Sequence, residues 1–201
     1  MYSCWREVGQ GGRYWYDSAR RSAKFAKESK NISDSNQIVL VVGSNRTGTS
    51  LLTEILLEKG FSVPGETAEY IDYDTHESKT FKKLSRHWDA DEARQFVAAI
   101  PPGKFVLKYP KASRKIERWL DVMPDARVIY VFRPRRQAIE SNLKYSWGSK
   151  PLAFIGRWLY RREWNRGLLA LADISAPIAF VTFEELKLTR DFQFPESFGW
   201  S

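Results

Sequence analysis

The chain has 201 residues, and its apolar fraction of 43% is typical of a folded globular protein rather than a disordered one. It carries 32 lysines and arginines against 24 aspartates and glutamates, and the resulting net charge of +8 favours anionic ligands. The single cysteine, Cys4, excludes an internal disulfide and a cluster of metal-bound thiolates. Since no segment has the length of a membrane span or the apolar core of a signal peptide, we expect a cytoplasmic protein without a transmembrane segment.

Residues 1–36 differ in pattern from the rest of the chain. They are predicted to form a basic N-terminal arm with one short helix over Asp17–Lys30. The cations of this helix are interpreted as a solvated face, with nucleic acid or a membrane surface as the alternative partners. Residues 37–201 are predicted to form one domain.

From Gln37 onward, short apolar runs alternate with segments of helical periodicity. The predicted strands are Ile38–Val42, Phe105–Lys108, Arg127–Phe132 and Ile178–Thr182. The predicted helices are Ser50–Lys59, a helix capped by Asp89, Ala112–Met123, Arg135–Lys144, a long helix from Pro151 to about Ala172, and a helical insertion that contains His76 and His87. This alternation predicts an α/β fold with three layers, in which helices flank a central parallel sheet. Ligands of such folds bind beyond the carboxyl ends of the strands.

The segment Gly43–Ser50 lies directly between the first predicted strand and the first predicted helix. Its sequence, Gly-Ser-Asn-Arg-Thr-Gly-Thr-Ser, has the frame of a phosphate-binding P-loop, G-x-x-x-x-G-K-[ST]. Glycines permit a tight turn, and backbone N–H groups at a helix N-terminus attract an anion. Thr49 replaces the lysine that reaches the β/γ-phosphates of ATP, and Arg46 supplies a cation three residues earlier. The pattern predicts a phosphate-binding site that does not hydrolyse ATP. The alternative is an ordinary strand–helix turn.

A second group of polar residues follows the strand Arg127–Phe132. Arg133 comes directly after the strand, where an ATPase often carries an aspartate that helps to hold Mg²⁺. Ser141 lies eight residues further on, in the next predicted helix. A forked cation and a hydroxyl suit a second phosphate, so the site is predicted to bind an anion without a metal. An arginine that pairs locally and an unrelated helix serine are the alternative.

Together these motifs resemble the sulfotransferases that use 3′-phosphoadenosine 5′-phosphosulfate (PAPS). In that family a loop of the type [KR]-[ST]-G-T-[ST] binds the 5′-phosphosulfate, and Arg46–Ser50 matches it position by position. A later strand of the family ends in an arginine, followed eight residues on by a serine, and the pair holds the 3′-phosphate. Arg133 and Ser141 have this spacing. The resemblance covers roughly residues 37 to 190 and implies a P-loop NTPase-like fold, PAPS as cosubstrate and no metal. The residues that it implies for cosubstrate binding are Ser44, Asn45, Arg46, Thr47, Gly48, Thr49, Ser50, Arg133 and Ser141.

The resemblance also implies catalytic residues. Arg46 would bind the leaving phosphate. Lys108 ends its strand, as a lysine often does in the family, and would stabilise the negative charge that develops on the bridging oxygen. Members with a histidine base carry it two residues after that lysine, where this chain has Pro110. Carbohydrate-type members use a carboxylate shortly after the first helix, which implies Glu66 as the base and Glu69 as the alternative.

The sequence therefore predicts a sulfotransferase that moves a sulfuryl group from PAPS to a hydroxyl or amine of a small-molecule, carbohydrate or lipid acceptor. Aromatic residues that are interpreted as core rather than as an acceptor pocket are Tyr145, Trp147, Trp158, Tyr160 and Trp164. His76 and His87 are interpreted as surface residues. The alternative functions are a P-loop kinase that uses ATP and a basic protein that binds nucleotide or nucleic acid without catalysis. Thr49 and Arg133 argue against the kinase, and no recognised nucleic-acid motif supports the other alternative. The oligomeric state is not predicted.

Overall fold

Four apolar segments form one parallel sheet, and two polar segments form a separate hairpin. The structure, a computed structural model, describes residues 36–65, 67–70, 73–146, 153–172, 174 and 176–200. The strands are β1 (Asn36–Gly43), β2 (Thr67–Tyr70), β3 (Tyr73–Ser78), β4 (Gly103–Lys108), β5 (Arg127–Phe132) and β6 (Ile178–Thr182). The helices are α1 (Thr49–Glu58), α2 (Lys79–Arg86), α3 (Ala90–Ala98), α4 (Ile116–Val122), α5 (Arg135–Ser146), α6 (Ala153–Leu169) and α7 (Phe183–Thr189).

The main sheet has the strand order β4-β1-β5-β6, and all its strands run parallel. In this register Val41 of β1 lies beside Lys108 of β4, and Val42 lies beside Tyr130 of β5. Since β1 has a neighbour on each side, the loop that follows it emerges in the middle of the carboxyl edge of the sheet. The ends of β4 and β5 flank this loop, which brings both predicted groups of polar residues to one edge.

Alternating side chains of β1 reach two separate cores. Leu40 and Val42 belong to a core on one face of the sheet, where Trp119 of α4 is fully buried. Val39 and Val41 belong to the core on the other face, which includes Leu52 of α1. A strand that is apolar on both faces is typical of a sheet covered by helices on both sides. The predicted three-layer α/β architecture is therefore confirmed.

The segment between α1 and β4 differs from the prediction. A helical insertion around His76 and His87 is wrong in part, because His76 lies on β3 of the hairpin. His87 ends α2 and is exposed. The strands of this hairpin are polar and lack the apolar alternation by which a half-buried strand is recognised.

The segment after β4 also begins differently from the prediction. Pro110–Lys115 forms a 3₁₀ turn, and the α-helix begins only at Ile116. Pro110 has no N–H to donate, and a proline at the first position suits the start of a helical turn. Asp89 caps α3 as predicted, since its carboxylate accepts hydrogen bonds from the N–H groups of Asp91 and Glu92.

Some predictions concern residues outside the described part of the chain. Residues 1–35 of the predicted basic arm, with its helix over Asp17–Lys30, lie there, as does Glu66. Asn36, the last residue of the predicted arm, begins β1. Within the described part, every helix is too short or too polar to cross a membrane.

Candidate functional site

The loop between β1 and α1 is held in a tight turn by its own backbone and hydroxyl groups. The Thr47 hydroxyl donates to the Ser44 carbonyl at 2.7 Å, and the Thr47 N–H reaches the same oxygen at 3.3 Å. Arg46 and Gly48 both have positive φ angles, of 66° and 99°. Glycine adopts such angles without strain, whereas arginine does so rarely. The turn presents the N-terminus of α1 at the edge of the sheet, as the sequence predicts for an anion-binding loop.

Gly48 lies against the ring of Phe183, at the start of α7. A Cβ atom at position 48 would stand 2.4 Å from Phe183 Cδ2, closer than any real contact. Arg133 also packs on this ring, and its Cζ lies 4.4 Å from the ring centroid. This cation–π contact holds the guanidinium group beside the loop. The contact between Phe183 and Gly48 joins distant parts of the chain, so no local sequence pattern predicts it.

Arg133 reaches the loop directly. Its Nη1 donates to the Arg46 carbonyl at 3.4 Å, so the guanidinium group of Arg133 lies beside the phosphate loop. Its Nε is buried and has no hydrogen-bond partner among the described residues, since the Glu184 carboxylate stands 3.9 Å away. A buried donor without a hydrogen bond is costly, and the ion pair with the Glu184 carboxylate offsets part of this cost. Ser141 lies half-buried in the second turn of α5.

Lys108 lies on the other side of the loop, at the end of β4. Its side chain is almost entirely buried, and its Nζ donates to the Ser50 hydroxyl at 3.0 Å. Glu77 of β3 faces the same ammonium group at 3.3 Å and is also buried. The second oxygen of Glu77 contacts the ammonium group of Lys82 at 2.6 Å. Glu77 is a site residue that the sequence analysis missed, because the only signal for it is a contact between distant parts of the chain.

A cleft of about 140 Å³ opens beside the first residues of the loop. Its residues come from the loop, the 3₁₀ turn, α5 and α6, and they include Asn45, Lys111, Asn142 and Glu163. Tyr160 lies at the boundary between the cleft and the loop, because its hydroxyl donates to the Asn45 carbonyl. The cleft therefore shares a wall with the predicted phosphate site.

The pKa values of two tyrosines near the cleft are raised, which favours the neutral phenol. Burial raises the pKa of Tyr160 well above its usual range, with a smaller contribution from Tyr130. Burial also raises the pKa of the Tyr130 phenol, and the nearby Ser44 hydroxyl offsets part of that shift. Ser44 and Tyr130 do not complete a well-aligned hydrogen bond with each other or with another described residue. Both phenols are thus neutral donors at physiological pH.

The rim of the cleft is rich in cations. Arg114 forms an ion pair with Glu163. Burial lowers the pKa of the Arg114 guanidinium, and the nearby charges of Arg166 and Arg162 lower it further. Cations placed close together repel one another, so an anion that binds between them is favoured.

The predicted core aromatics divide into two groups. Tyr160 is buried in the small core between α5 and α6 but also lines the cleft, and Trp164 packs against the same core. Trp158 is 57% exposed, so its assignment to the core is wrong. The side chains of Tyr145 and Trp147 lie outside the described part, as does that of Glu69 on β2.

The sequence matches no protein-family model and no curated protein. Among solved structures, the sulfotransferase STF9 from Mycobacterium avium is similar with a TM-score of 0.52 and 15% identity, covering 89% of this chain and 70% of that chain. The fold is P-loop NTPase-like. A deoxyadenosine kinase from M. mycoides matches with a TM-score of 0.43 and 12% identity, covering 77% of this chain and 96% of that chain. The similarity to STF9, at 15% identity, establishes the architecture alone, and this confirms the predicted fold class.

Proposed function

We propose that the protein is a PAPS-dependent sulfotransferase. The observation that carries this proposal is the contact of the Arg133 guanidinium with the backbone carbonyl of Arg46, because it brings the second predicted cationic residue to the phosphate loop. A nucleotide with phosphates at two separate positions is the ligand that needs both groups. The bisphosphate 3′,5′-ADP, the product of sulfuryl transfer, has this form.

The residues present fit such a nucleotide. The loop from Ser44 to Ser50 would hold the 5′-phosphosulfate, through its N–H groups and hydroxyls. Arg133 and Ser141 would hold the 3′-phosphate, as the resemblance implies. The bound nucleotide supplies an activated sulfuryl group, and the protein supplies alignment and positive charge.

The same contacts favour sulfuryl over phosphoryl transfer. A P-loop kinase needs the loop lysine, which is Thr49 here, and a strand-end carboxylate for Mg²⁺, where this chain has Arg133. Lys108 provides a cation from a different strand, and its bond to Ser50 directs it at the phosphate loop. The chain thus lacks the loop lysine and the strand-end carboxylate of a kinase and has Lys108 and Arg133 as cations instead. This difference supports PAPS over ATP as the cosubstrate.

The acceptor would enter the cleft beside Asn45. Its walls carry hydroxyl, amide and cationic groups, which suits a polar acceptor such as a carbohydrate. The acceptor hydroxyl needs a base, which contributes about 10²–10⁴ in rate. Glu66 is our proposed base, with Glu69 as the alternative, on the resemblance alone. The single cysteine supports a cytoplasmic location.

Ligand preference tests the proposal. Thermal stabilisation of the purified protein is measured with 3′,5′-ADP, 5′-AMP and Mg-ATP at equal concentrations. We expect 3′,5′-ADP to give the largest rise in melting temperature, since only it engages both cationic groups. A larger rise with Mg-ATP would contradict the proposal.

A variant pair locates the 3′-phosphate. Arg133→Lys keeps the charge but loses the planar fork, so the affinity for 3′,5′-ADP should fall about ten- to hundredfold while that for 5′-AMP changes little. Arg135→Lys, two residues away and exposed, is the control. Equal losses of affinity for 3′,5′-ADP and 5′-AMP would show that Arg133 does not bind the 3′-phosphate.

Transfer itself is measured with labelled PAPS and a panel of hydroxyl and amine acceptors. Glu66→Gln should reduce turnover by about 10²–10⁴ and leave the affinity for 3′,5′-ADP unchanged. Unchanged turnover would remove Glu66 as the base, and Glu69→Gln is the next variant.

A further inference from the structure

We propose that Glu77 is a positioning residue that holds Lys108 against the phosphate loop. The inference rests on the proposed function, since it names a further residue of the same site. Glu77 belongs to the β2–β3 hairpin, outside the main sheet, and none of the loop motifs includes it.

The contact between Glu77 and Lys108 is buried. Lys108 is 2% exposed and Glu77 is 8% exposed, so both charges have lost most of their water. A charge in such surroundings is tolerated only if it is paired and hydrogen-bonded. Glu77 Oε1 lies 3.3 Å from Lys108 Nζ, and Lys108 Nζ lies 3.0 Å from Ser50 Oγ. The carboxylate therefore stabilises the charged ammonium group at the position where it reaches the loop.

The remaining contact fixes Glu77 in turn. Its Oε2 lies 2.6 Å from the ammonium group of Lys82, at the start of α2. The carboxylate thus lies between two cations, one at the sheet edge and one on the helix that follows the hairpin. This arrangement suits a residue that orients Lys108 better than one that abstracts a proton from the acceptor.

The main test compares Glu77→Gln with the wild-type protein in the slow hydrolysis of PAPS. In this reaction water replaces the acceptor: the bond between sulfur and the phosphate oxygen breaks, and a bond between sulfur and the water oxygen forms. The products are 3′,5′-ADP and sulfate, and both protons of the water are released to solvent. We expect kcat to fall about ten- to hundredfold, the range typical of groups that orient a site residue. The KM for PAPS and the affinity for 3′,5′-ADP should change less than about threefold.

The matched control is Glu92→Gln. Glu92 forms an ion pair of similar length with Lys83, at 3.0 Å, but both side chains are more than half exposed. This variant should retain full turnover. Equal effects of Glu77→Gln and Glu92→Gln on kcat would overturn the inference, as would a Glu77→Gln effect confined to affinity.

A double variant tests whether Glu77 acts through Lys108. Glu77→Gln combined with Lys108→Met should be no slower than Lys108→Met alone, because the positioned group is already absent. Multiplied losses would show independent action and overturn the inference. If Glu77→Gln does not fold, Glu77→Asp replaces it, with an expected intermediate loss because the charge is kept and its reach shortened.

A readout without nucleotide separates this inference from the proposed function. The rate at which a small acylating reagent modifies Lys108, measured by mass spectrometry, should rise at least about threefold in Glu77→Gln and not in Glu92→Gln. An unchanged rate would overturn the positioning contact. If the wild-type protein prefers Mg-ATP, the proposed function fails but the labelling result still decides whether Glu77 holds Lys108.

Discussion

Gly48 is the residue whose replacement the structure restricts most strongly. Its φ angle of 99° is unfavourable for any other residue, and the Phe183 ring occupies the space of a side chain. The two glycines of the loop motif are thus required for different reasons. Gly43 has no positive φ, but a Cβ there would lie 2.8 Å from Thr47 Oγ1 and 2.9 Å from the Val131 carbonyl oxygen.

Gly48→Ala should lower the free energy of unfolding by about 2–4 kcal/mol, since backbone strain and overpacking add. Gly60→Ala is the matched control. Gly60 has a φ of 85°, but a Cβ at this position would meet no atom within 4 Å, so only the strain of about 1 kcal/mol remains. Urea unfolding of both variants measures the difference. Equal losses would show that the Phe183 contact is not tight.

Tyr160→Phe removes the hydroxyl that binds the Asn45 carbonyl. We expect a loss of about 1–2 kcal/mol in the free energy of unfolding, because the buried hydrogen bond is lost. Tyr130→Phe is the control, since the Tyr130 hydroxyl has no well-aligned partner among the described residues. It should lower the free energy of unfolding by less than Tyr160→Phe does, because no well-aligned hydrogen bond is lost. A loss for Tyr130→Phe as large as that for Tyr160→Phe would contradict this prediction.

At the scale of elements, α1 is tied to the segment after α7 by one ion pair. Lys59, which ends α1, contacts Asp191 at 2.6 Å. The hydrogen bond from Lys59, followed by that from the Phe192 N–H, lowers the pKa of the Asp191 carboxyl. A lowered pKa contributes stability above the unfolded value of about 3.9, and this contribution is lost as the pH falls through the folded value.

The pH dependence of Asp191→Asn follows from this sign. The wild-type protein should be more stable than the variant between about pH 5 and 7, and the difference should shrink steadily below about pH 4. Lys59→Met should reproduce the profile, because it removes the same contact. Chemical unfolding at several pH values measures it. A difference that grows as the pH falls would show that another group is responsible.

The elements that sequence predicts best are those whose burial is complete. β1 and β5 are continuous apolar runs, and their ends differ from the prediction by two residues or fewer. The β2–β3 hairpin is polar, so its strands resemble loop or helix surface, and no sequence pattern predicts its pairing. The pattern predicts helix over part of the 3₁₀ turn at Pro110–Lys115, because a 3₁₀ turn and an α-helix share nearly the same spacing of apolar residues.

The candidate site shows the same limit. The loop and the strand-end cations follow from local patterns, since carboxyl ends of parallel strands share one edge. Glu77 and Tyr160 do not, because each joins the site through a contact with a residue far away in the sequence. Such contacts depend on how the hairpin and α6 pack, which no local pattern contains.

For the whole molecule, the net charge of +8 affects how nucleotide binding responds to salt. We expect the affinity for 3′,5′-ADP to fall as sodium chloride is raised from about 0.05 to 0.5 M, because screening weakens the attraction between basic protein and anion. Arg133→Lys should keep most of this dependence, since its charge is unchanged, whereas Arg133→Met should reduce it. Calorimetric titration measures these slopes. A salt-independent affinity would contradict a site built on cations.

Tyr160 contacts both the cleft and the phosphate loop. It lines the cleft, and its hydroxyl binds the backbone of the loop at Asn45. A molecule that displaces this phenol on entering the cleft therefore also perturbs the loop. Thermodynamic linkage then requires the effect to be reciprocal. If a molecule in the cleft changes the affinity of the loop for its ligand by some factor, the loop's ligand changes the affinity of the cleft by the same factor.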